Sequence, residues 1–391
     1  MTSDAPQLVL MNPGPVVTDE RVRAALTGPD LCHRDRDFTR LMTSVRAKVT
    51  RIAGGDDRHT SVVLTASGTA AVEAAILSAV PAGGGLLVVD NGHYGHRMAE
   101  IAQTYGIRVR RLELGWGTPV ELGAVERELA ADPGLTHVGL VHHETSTGML
   151  NDVRGLCALA HRYGREVVLD AVSSIGAESL NLCEDEVDWL AGSANKCLEG
   201  TPGLSFVCAR KDAFASLGSG PRRSYYLDLY RHFRAQEQAG APAFTPAVHV
   251  FRSFEAALDL ALTEGVGARR ARYGRLAGQL REGLAALGLD LLLPPEQRAV
   301  GLTAIRLPEG VGYPALETAL RAEGFVIYAA QEQLAEGFFR LSTMGRITAA
   351  DVERFLAALA RLLPGPTAVA ARDRGPAPGR GSAPEPAGVL R

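Results

Sequence analysis

The stretch REVVLDAVSSIGAESLNLCEDEVDWLAGSANK, residues 165–196, decides the architecture. It holds two short apolar runs, EVVLDAV and DWLAGSANK, each closing on a residue able to do chemistry: Asp170 and Lys196. Runs this short, bounded by small and polar residues, read as strands buried on both faces, which are near-continuously apolar rather than alternating. The same rhythm extends outward from about residue 60 to 210. SVVLTA (61–66), GLLVVD (85–90), THVGLVHHE (136–144) and LSFVCA (204–209) read as further strands. Between them AAVEAAILSAV (70–80), YGHRMAEIAQTYG (94–106) and VRGLCALAHRYG (153–164) carry helical periods. The alternation predicts an α/β chain with a mostly parallel sheet covered on both faces. Ligands of such sheets gather beyond the carboxyl ends of the strands, where Asp170 and Lys196 both fall.

Beyond this region come SFEAALDLALTEG (253–265) and RRARYGRLAGQLREGLAALG (269–288), both helical. TAIRLP (303–308), FVIYAA (325–330) and FFRLST (338–343) read as strands and TAADVERFLAALARLL (348–363) as a closing helix. With 391 residues the chain exceeds one ordinary core. The expected division is a large domain over 15–255 and a smaller α+β domain over 256–363 joined by residues 1–14. From Pro364 the chain is rich in Pro, Ala, Gly and Arg, and a disordered tail is expected over 364–391.

Composition narrows the function. Apolar residues make up 46%, charged residues 22%, and the formal net charge is −3 without a long run of one sign. Neither a nucleic-acid nor a membrane-surface partner is expected. No apolar stretch reaches the roughly 20 residues of a membrane span, and MTSDAPQLVLMNPGP lacks the pattern of a secretory signal. Five dispersed cysteines, without a C-x-x-C pair, fit a reducing cytoplasm and no zinc site. The adjacent His142, His143 and Glu144 point to alternating faces of a strand, so no metal is expected there.

Lys and Arg total 41, yet only Lys48, Lys196 and Lys211 are lysine. A chain that writes arginine for nearly every cation keeps lysine where an amine is needed, because arginine cannot form a Schiff base. Lys48 flanks the apolar stripe of a helix and Lys211 sits in a turn, so both read as surface residues. Lys196 stands at a strand end before CLEGTPG, facing the expected crevice. Asp170 ends the preceding strand, where a carboxylate either caps a turn or faces a cation. The protonated ring nitrogen of pyridoxal phosphate is such a cation, and a carboxylate beside it preserves the ring as an electron sink. Val172, two residues on, points to the same side and can pack on the ring. Ser67, Gly68 and Thr69 form a small-residue turn into a helix, either a plain N-cap or an anion site for a phosphate. Thr145 and Tyr94 lie at turns near strand ends, and Arg340 follows two aromatics on a strand; each has an ordinary structural reading as well.

Taken together, NPGPV, GTAAVEAAI, NGHYGHRM, HHETSTGML, DAVSSIGA, SANKCLEGTPG, LDLYRHF, FTPAVHVF and FRLSTMG resemble the fold-type I, class V pyridoxal-phosphate-dependent aminotransferases, over roughly residues 8–360. SANKC-x-x-G-x-PG and FTP-x-x-HV are closest to the phosphonate branch of that family, whose substrates are 2-aminoethylphosphonate and pyruvate. The resemblance implies that Lys196 holds the cofactor and Asp170 bonds its ring nitrogen. Ser67, Gly68, Thr69 and Asn195 would line the phosphate, Thr145 would touch the phenolic oxygen and Tyr94 would stack. It further implies a homodimer, in which Thr245 reaches the phosphate of the neighbouring subunit, and an Arg340 that binds phosphonate and carboxylate in turn. The products would be phosphonoacetaldehyde and L-alanine, or the reverse in a biosynthetic direction. DAVSS is shared with alanine–glyoxylate and serine–pyruvate enzymes, which keeps that reading as the alternative. A lyase or desulfurase on the same fold would need a reactive cysteine late in the chain, and none follows Cys208. MNPGP, CHRDRDF and FRLSTMG depart from the commoner family pattern.

Overall fold

The computed structural model describes residues 8–363; the expected tail lies outside the described residues. Its centre is a seven-stranded sheet: β1 (His59–Leu64), β2 (Gly85–Asp90), β3 (Arg108–Glu113), β4 (Leu135–Val141), β5 (Glu166–Asp170), β6 (Trp189–Ser193) and β7 (Ser205–Arg210), in the order β1-β7-β6-β5-β4-β2-β3. Neighbours from β6 across to β3 are parallel, while β7 runs antiparallel to both β1 and β6. The α/β reading with a mainly parallel sheet holds. β1, β2 and β6 are buried at every position, as continuous apolar runs require.

Helices cover both faces: α1 (Arg36–Ile52), α2 (Gly68–Ala79), α3 (His93–Thr104), α4 (Leu122–Ala131), α5 (Val153–Arg162) and α6 (Val248–Glu264). One core unites α1, α5 and α6 with one face of the sheet, with Phe38 and Phe251 packed edge-to-face at 5.2 Å. The other unites α2 and α3 with the opposite face. β3 escapes a reading based on apolar runs because RVRRLE lies at the sheet edge with exposed and half-buried positions alternating.

Gly265, at φ +81°, separates α6 from α7 (Val266–Ala286), and only glycine takes that conformation without strain. Past α7 lies a three-stranded antiparallel sheet, β8 (Leu302–Arg306), β9 (Tyr328–Ala329) and β10 (Phe338–Ser342), in the order β8-β10-β9. With α7, α8 (Tyr313–Ala322) and α9 (Ala349–Leu362) it encloses a separate core that includes Met11, Leu280, Phe339 and Phe355. Val9–Leu10 pairs in parallel with Phe325–Val326, which ties the start of the chain to this smaller core. Thr348 and Asp351 form a reciprocal capping box at the start of α9. No described helix is long and apolar enough to cross a membrane.

Candidate active site

The carboxyl ends of β1, β4, β5 and β6 converge on a cavity of about 310 Å³. Its lining includes Ser67, Gly68, Thr69, Tyr94, Asp170, Val172, Asn195 and Lys196, so eight of the residues singled out in the sequence share one space. The parallel strands explain this. Segments more than a hundred residues apart each leave the sheet at the same edge, and only the residues just past a strand end can face the crevice.

Ser67 sits at the N-cap of α2 in extended conformation, yet its side chain makes no capping bond. The small residues there leave the helix N-terminus open to an anion, as the phosphate reading requires. Gly68 is also sterically required: a Cβ would lie 2.9 Å from the Val172 methyls and 3.2 Å from the Ser193 Cβ. Ser193 Oγ donates to Asn195 Oδ1 at 2.9 Å, which orients the Asn195 amide beside the lysine.

The three lysines have three fates. Lys211 is exposed. Lys48 is half-buried and paired with Glu255 at 3.0 Å and Asp259 at 2.7 Å, so it ties α1 to α6 rather than standing free in solvent. Lys196 alone reaches the cavity, and burial pulls its ammonium down to about 8, with Cys197 and Asp170 opposing and Arg340 and Arg97 assisting. An amine with this value is partly unprotonated at neutral pH, the state in which it is nucleophilic. Its Nζ donates to the Pro13 carbonyl, and a Cβ on Gly14 would lie 2.7 Å from the Lys196 Cδ. The NPGP segment therefore forms one wall of the lysine's channel, a role its sequence did not disclose.

Asp170 is fully enclosed, and Val172 N–H donates to its Oδ1 at 2.9 Å. Burial raises its pKa, countered by Arg97, the Val172 amide and Lys196. Tyr94 belongs to the first turn of α3, whose Tyr94 and Gly95 amides both donate to Glu144 Oε2 at 3.1 Å. That buried carboxylate holds the turn, and hence the tyrosine, against the cavity.

Thr145 and Arg340 do not line this cavity; they bond to each other, and Arg340 acts on Lys196 through space. Arg340 Nη1 donates to Thr145 O and to Gln331 Oε1, both at 3.0 Å, and Nε donates to Ala329 O at 2.9 Å. All three acceptors are neutral, although the guanidinium is buried and its pKa is lowered by that burial. Thr245 is exposed and does not line the cavity of its own chain. The structure also adds residues that sequence reading missed: Arg97, His143 and Ser173 line the cavity as well. His143 Nδ1 donates to Ser173 O at 3.1 Å, and burial pushes its pKa down to about 3, so it is neutral there. Among the described residues one three-donor cluster, Asp56, His59 and Cys183, lies at the opposite end of β1, with its carboxylate already paired to Arg58.

The donor set fits pyridoxal phosphate. An uncapped helix end suits its phosphate, a buried carboxylate its ring nitrogen, a buried and readily deprotonated lysine its aldehyde, and Val172 and Tyr94 flank the space.

Comparison with known proteins agrees. The family pattern "Aminotransferase class-V" matches residues 2–355. The 2-aminoethylphosphonate–pyruvate transaminase of Vibrio vulnificus is 37% identical over 362 residues, which cover 91% of this chain and 98% of that protein. Among solved structures, ureidoglycine–glyoxylate aminotransferase from Bacillus subtilis superposes with a TM-score of 0.87 at 25% identity, over 92% of this chain and 93% of its own. An alanine–glyoxylate aminotransferase from Nostoc sp. gives 0.86 at 26% identity, covering 92% and 96%.

Proposed function

The chain belongs to the class-V aminotransferases and uses pyridoxal phosphate, and from that premise we propose that it moves the amino group between 2-aminoethylphosphonate and pyruvate, giving phosphonoacetaldehyde and L-alanine, or runs that exchange in reverse. The observation that carries the substrate reading is Arg340, a buried guanidinium whose protein partners are all neutral oxygens. A buried cation hydrogen-bonded only to neutral oxygens, with Glu144 acting on it only through space, is under-compensated and calls for an anion. Both substrates bring one: the phosphonate lies one methylene from the amine-bearing carbon, and the carboxylate of pyruvate is bonded to its keto carbon. The planar fork of arginine accepts a phosphonate and a carboxylate with the same geometry. The names of the most similar relatives support the same choice.

When bound, the cofactor supplies an electron sink for the carbon that carries the amino group. Lys196 would anchor it, and its free Nζ would hold and move a proton at the reacting carbon. Asp170 would keep the ring nitrogen protonated. Ser67, Gly68, Thr69 and Asn195 would hold the phosphate, Thr145 would serve the phenolic oxygen, and Val172 and Tyr94 would contact the ring. Pro13 receives the lysine amine when it is free. We further propose a homodimer, with Thr245 completing the partner's phosphate site. Supporting this, Thr245 is exposed beside Phe244, which packs on the solvent-facing Tyr225 at 5.8 Å. A cytoplasmic location and the division into units over 15–255 and 256–363 belong to the same proposal; the separate core around Phe339 and Phe355 supports the latter.

The test is a half-reaction. Purified protein with bound cofactor is mixed with 2-aminoethylphosphonate alone, and the visible band should convert to the near-ultraviolet band of the aminated cofactor. L-alanine should drive the same conversion from the other side. Conversion by serine but not by the aminophosphonate would sink the substrate reading in favour of a serine–pyruvate type. In the same assay Arg340→Ala should lower kcat/KM by about 10²–10⁴-fold, the scale of about 3–5 kcal/mol for a broken buried ion pair. Both half-reactions should suffer alike. A loss confined to one substrate would show that the other anion binds elsewhere.

A further inference from the structure

Arg97 lines the cavity alongside Lys196, and the functional reading above leaves it without a task. It projects from α3 one turn after Tyr94, with its Cζ 4.5 Å from the centre of the Tyr94 ring. Its Nη2 stands 3.7 Å from Asp170 Oδ2, too far for a hydrogen bond but close enough for a strong charge interaction. Its Nε is buried without a hydrogen-bond partner. An arginine meant only to neutralise a buried aspartate would take both oxygens in a fork. This one lies against the tyrosine face and leaves Asp170 Oδ2 room for another partner.

We propose that Arg97 is a positioning residue that sets the charge balance of the cofactor site, holding Asp170 ionised and keeping the nitrogen of Lys196 easily deprotonated. The inference rests on the cofactor reading above and goes beyond it to a residue with no assigned role. The charges that face this spot come from every wall. Asp170 ends β5, and Glu144, past β4, faces Asp170 as a like group. Lys196 and Cys197 follow β6, Arg340 lies on β10, His143 follows β4 and stays neutral, and Tyr94 shares α3. Among these, Arg97 is the largest influence opposing the effect of burial on Asp170, and it acts on Lys196 in the downward direction together with Arg340. Removing its charge acts on the lysine in two opposed ways. The lysine nitrogen loses a neighbouring like charge, which holds its proton more tightly, while protonation of Asp170 would loosen it; the direct loss prevails in the holoenzyme, where the charge of the ring nitrogen itself keeps Asp170 ionised.

The experiment is a pH titration of the visible band of the bound cofactor in the wild-type holoenzyme, Arg97→Met, Arg97→Gln and Arg97→Lys, with thermal melting in parallel. The midpoint should rise by about one pH unit in Arg97→Met and Arg97→Gln, as expected for a charge within about 4–6 Å. Arg97→Lys, which keeps the charge, should stay close to wild type. A purely structural residue would lower the melting temperature and leave the midpoint where it was. Unmoved midpoints in the neutral variants, or a lysine variant that shifts as far as methionine, overturn the inference while leaving the cofactor reading intact. A wild-type protein that shows no visible band overturns the cofactor reading itself, and this inference with it.

Discussion

Lys196→Ala is expected to abolish turnover, lowering kcat by at least about 10⁴-fold, the upper range for losing a positioned proton-transfer group alone. It also removes the visible absorbance of the bound cofactor. The argument is one of supply. Of the chain's three lysines, Lys48 is engaged by Glu255 and Asp259, and Lys211 lies on the surface. No other lysine stands in the cavity, and arginine cannot replace an amine that must be both nucleophile and proton carrier. Lys196→Arg should therefore fail as completely as alanine, although it keeps the charge. Borohydride reduction of the wild-type holoenzyme followed by peptide mapping provides the independent check. The reduced adduct should sit on the peptide containing Lys196, and a label on the Lys48 or Lys211 peptide would end this assignment.

Much of this site was legible before any coordinates. Lys196 and Asp170 could be found because lysine is scarce here and because a polar residue closing an apolar run stands out. Parallel strands then convert that local signal into a shared location, which is why Ser67–Thr69, Tyr94 and Val172 fall into place with them. Other residues carried no such signal. Arg97 is one arginine among many, and only the register of α3 against β5 brings it to Asp170. Pro13 and Gly14 come from the far end of the chain and meet Lys196 through the seating of the N-terminal segment. His143 was read as half of an adjacent pair and set aside as a metal ligand; its burial at the cavity wall depends on the chain's path past β4. In the fold, β3 was missed for a related reason. An edge strand is free to be charged, so RVRRLE has the composition of a loop and the hydrogen bonds of a strand. Long-range geometry, rather than local propensity, accounts for each of these omissions.

Asp170→Asn separates catalysis from stability. The amide is nearly isosteric and its oxygen can still accept from Val172 N–H, so the site should keep its shape. What it loses is the charge proposed to hold the ring nitrogen protonated, and kcat should fall by about 10²–10⁴-fold, the scale of about 3–5 kcal/mol for breaking a buried charge pair. The cofactor-free protein should respond in the opposite sense. Burial raises the Asp170 pKa in the folded state above its unfolded value. For such a group the stabilising contribution is complete below the unfolded pKa and is lost as pH rises through the folded one. As pH rises from the unfolded pKa toward neutrality the cofactor-free wild type therefore loses stability that the asparagine variant keeps. Melting temperatures of the two cofactor-free proteins should lie close together in acid and separate toward neutrality, with the variant higher. An asparagine variant that is both slow and less stable at neutral pH would mean that Asp170 is there to hold the fold. One that is slow yet more stable identifies a carboxylate kept for its chemistry, at the expense of the protein that bears it.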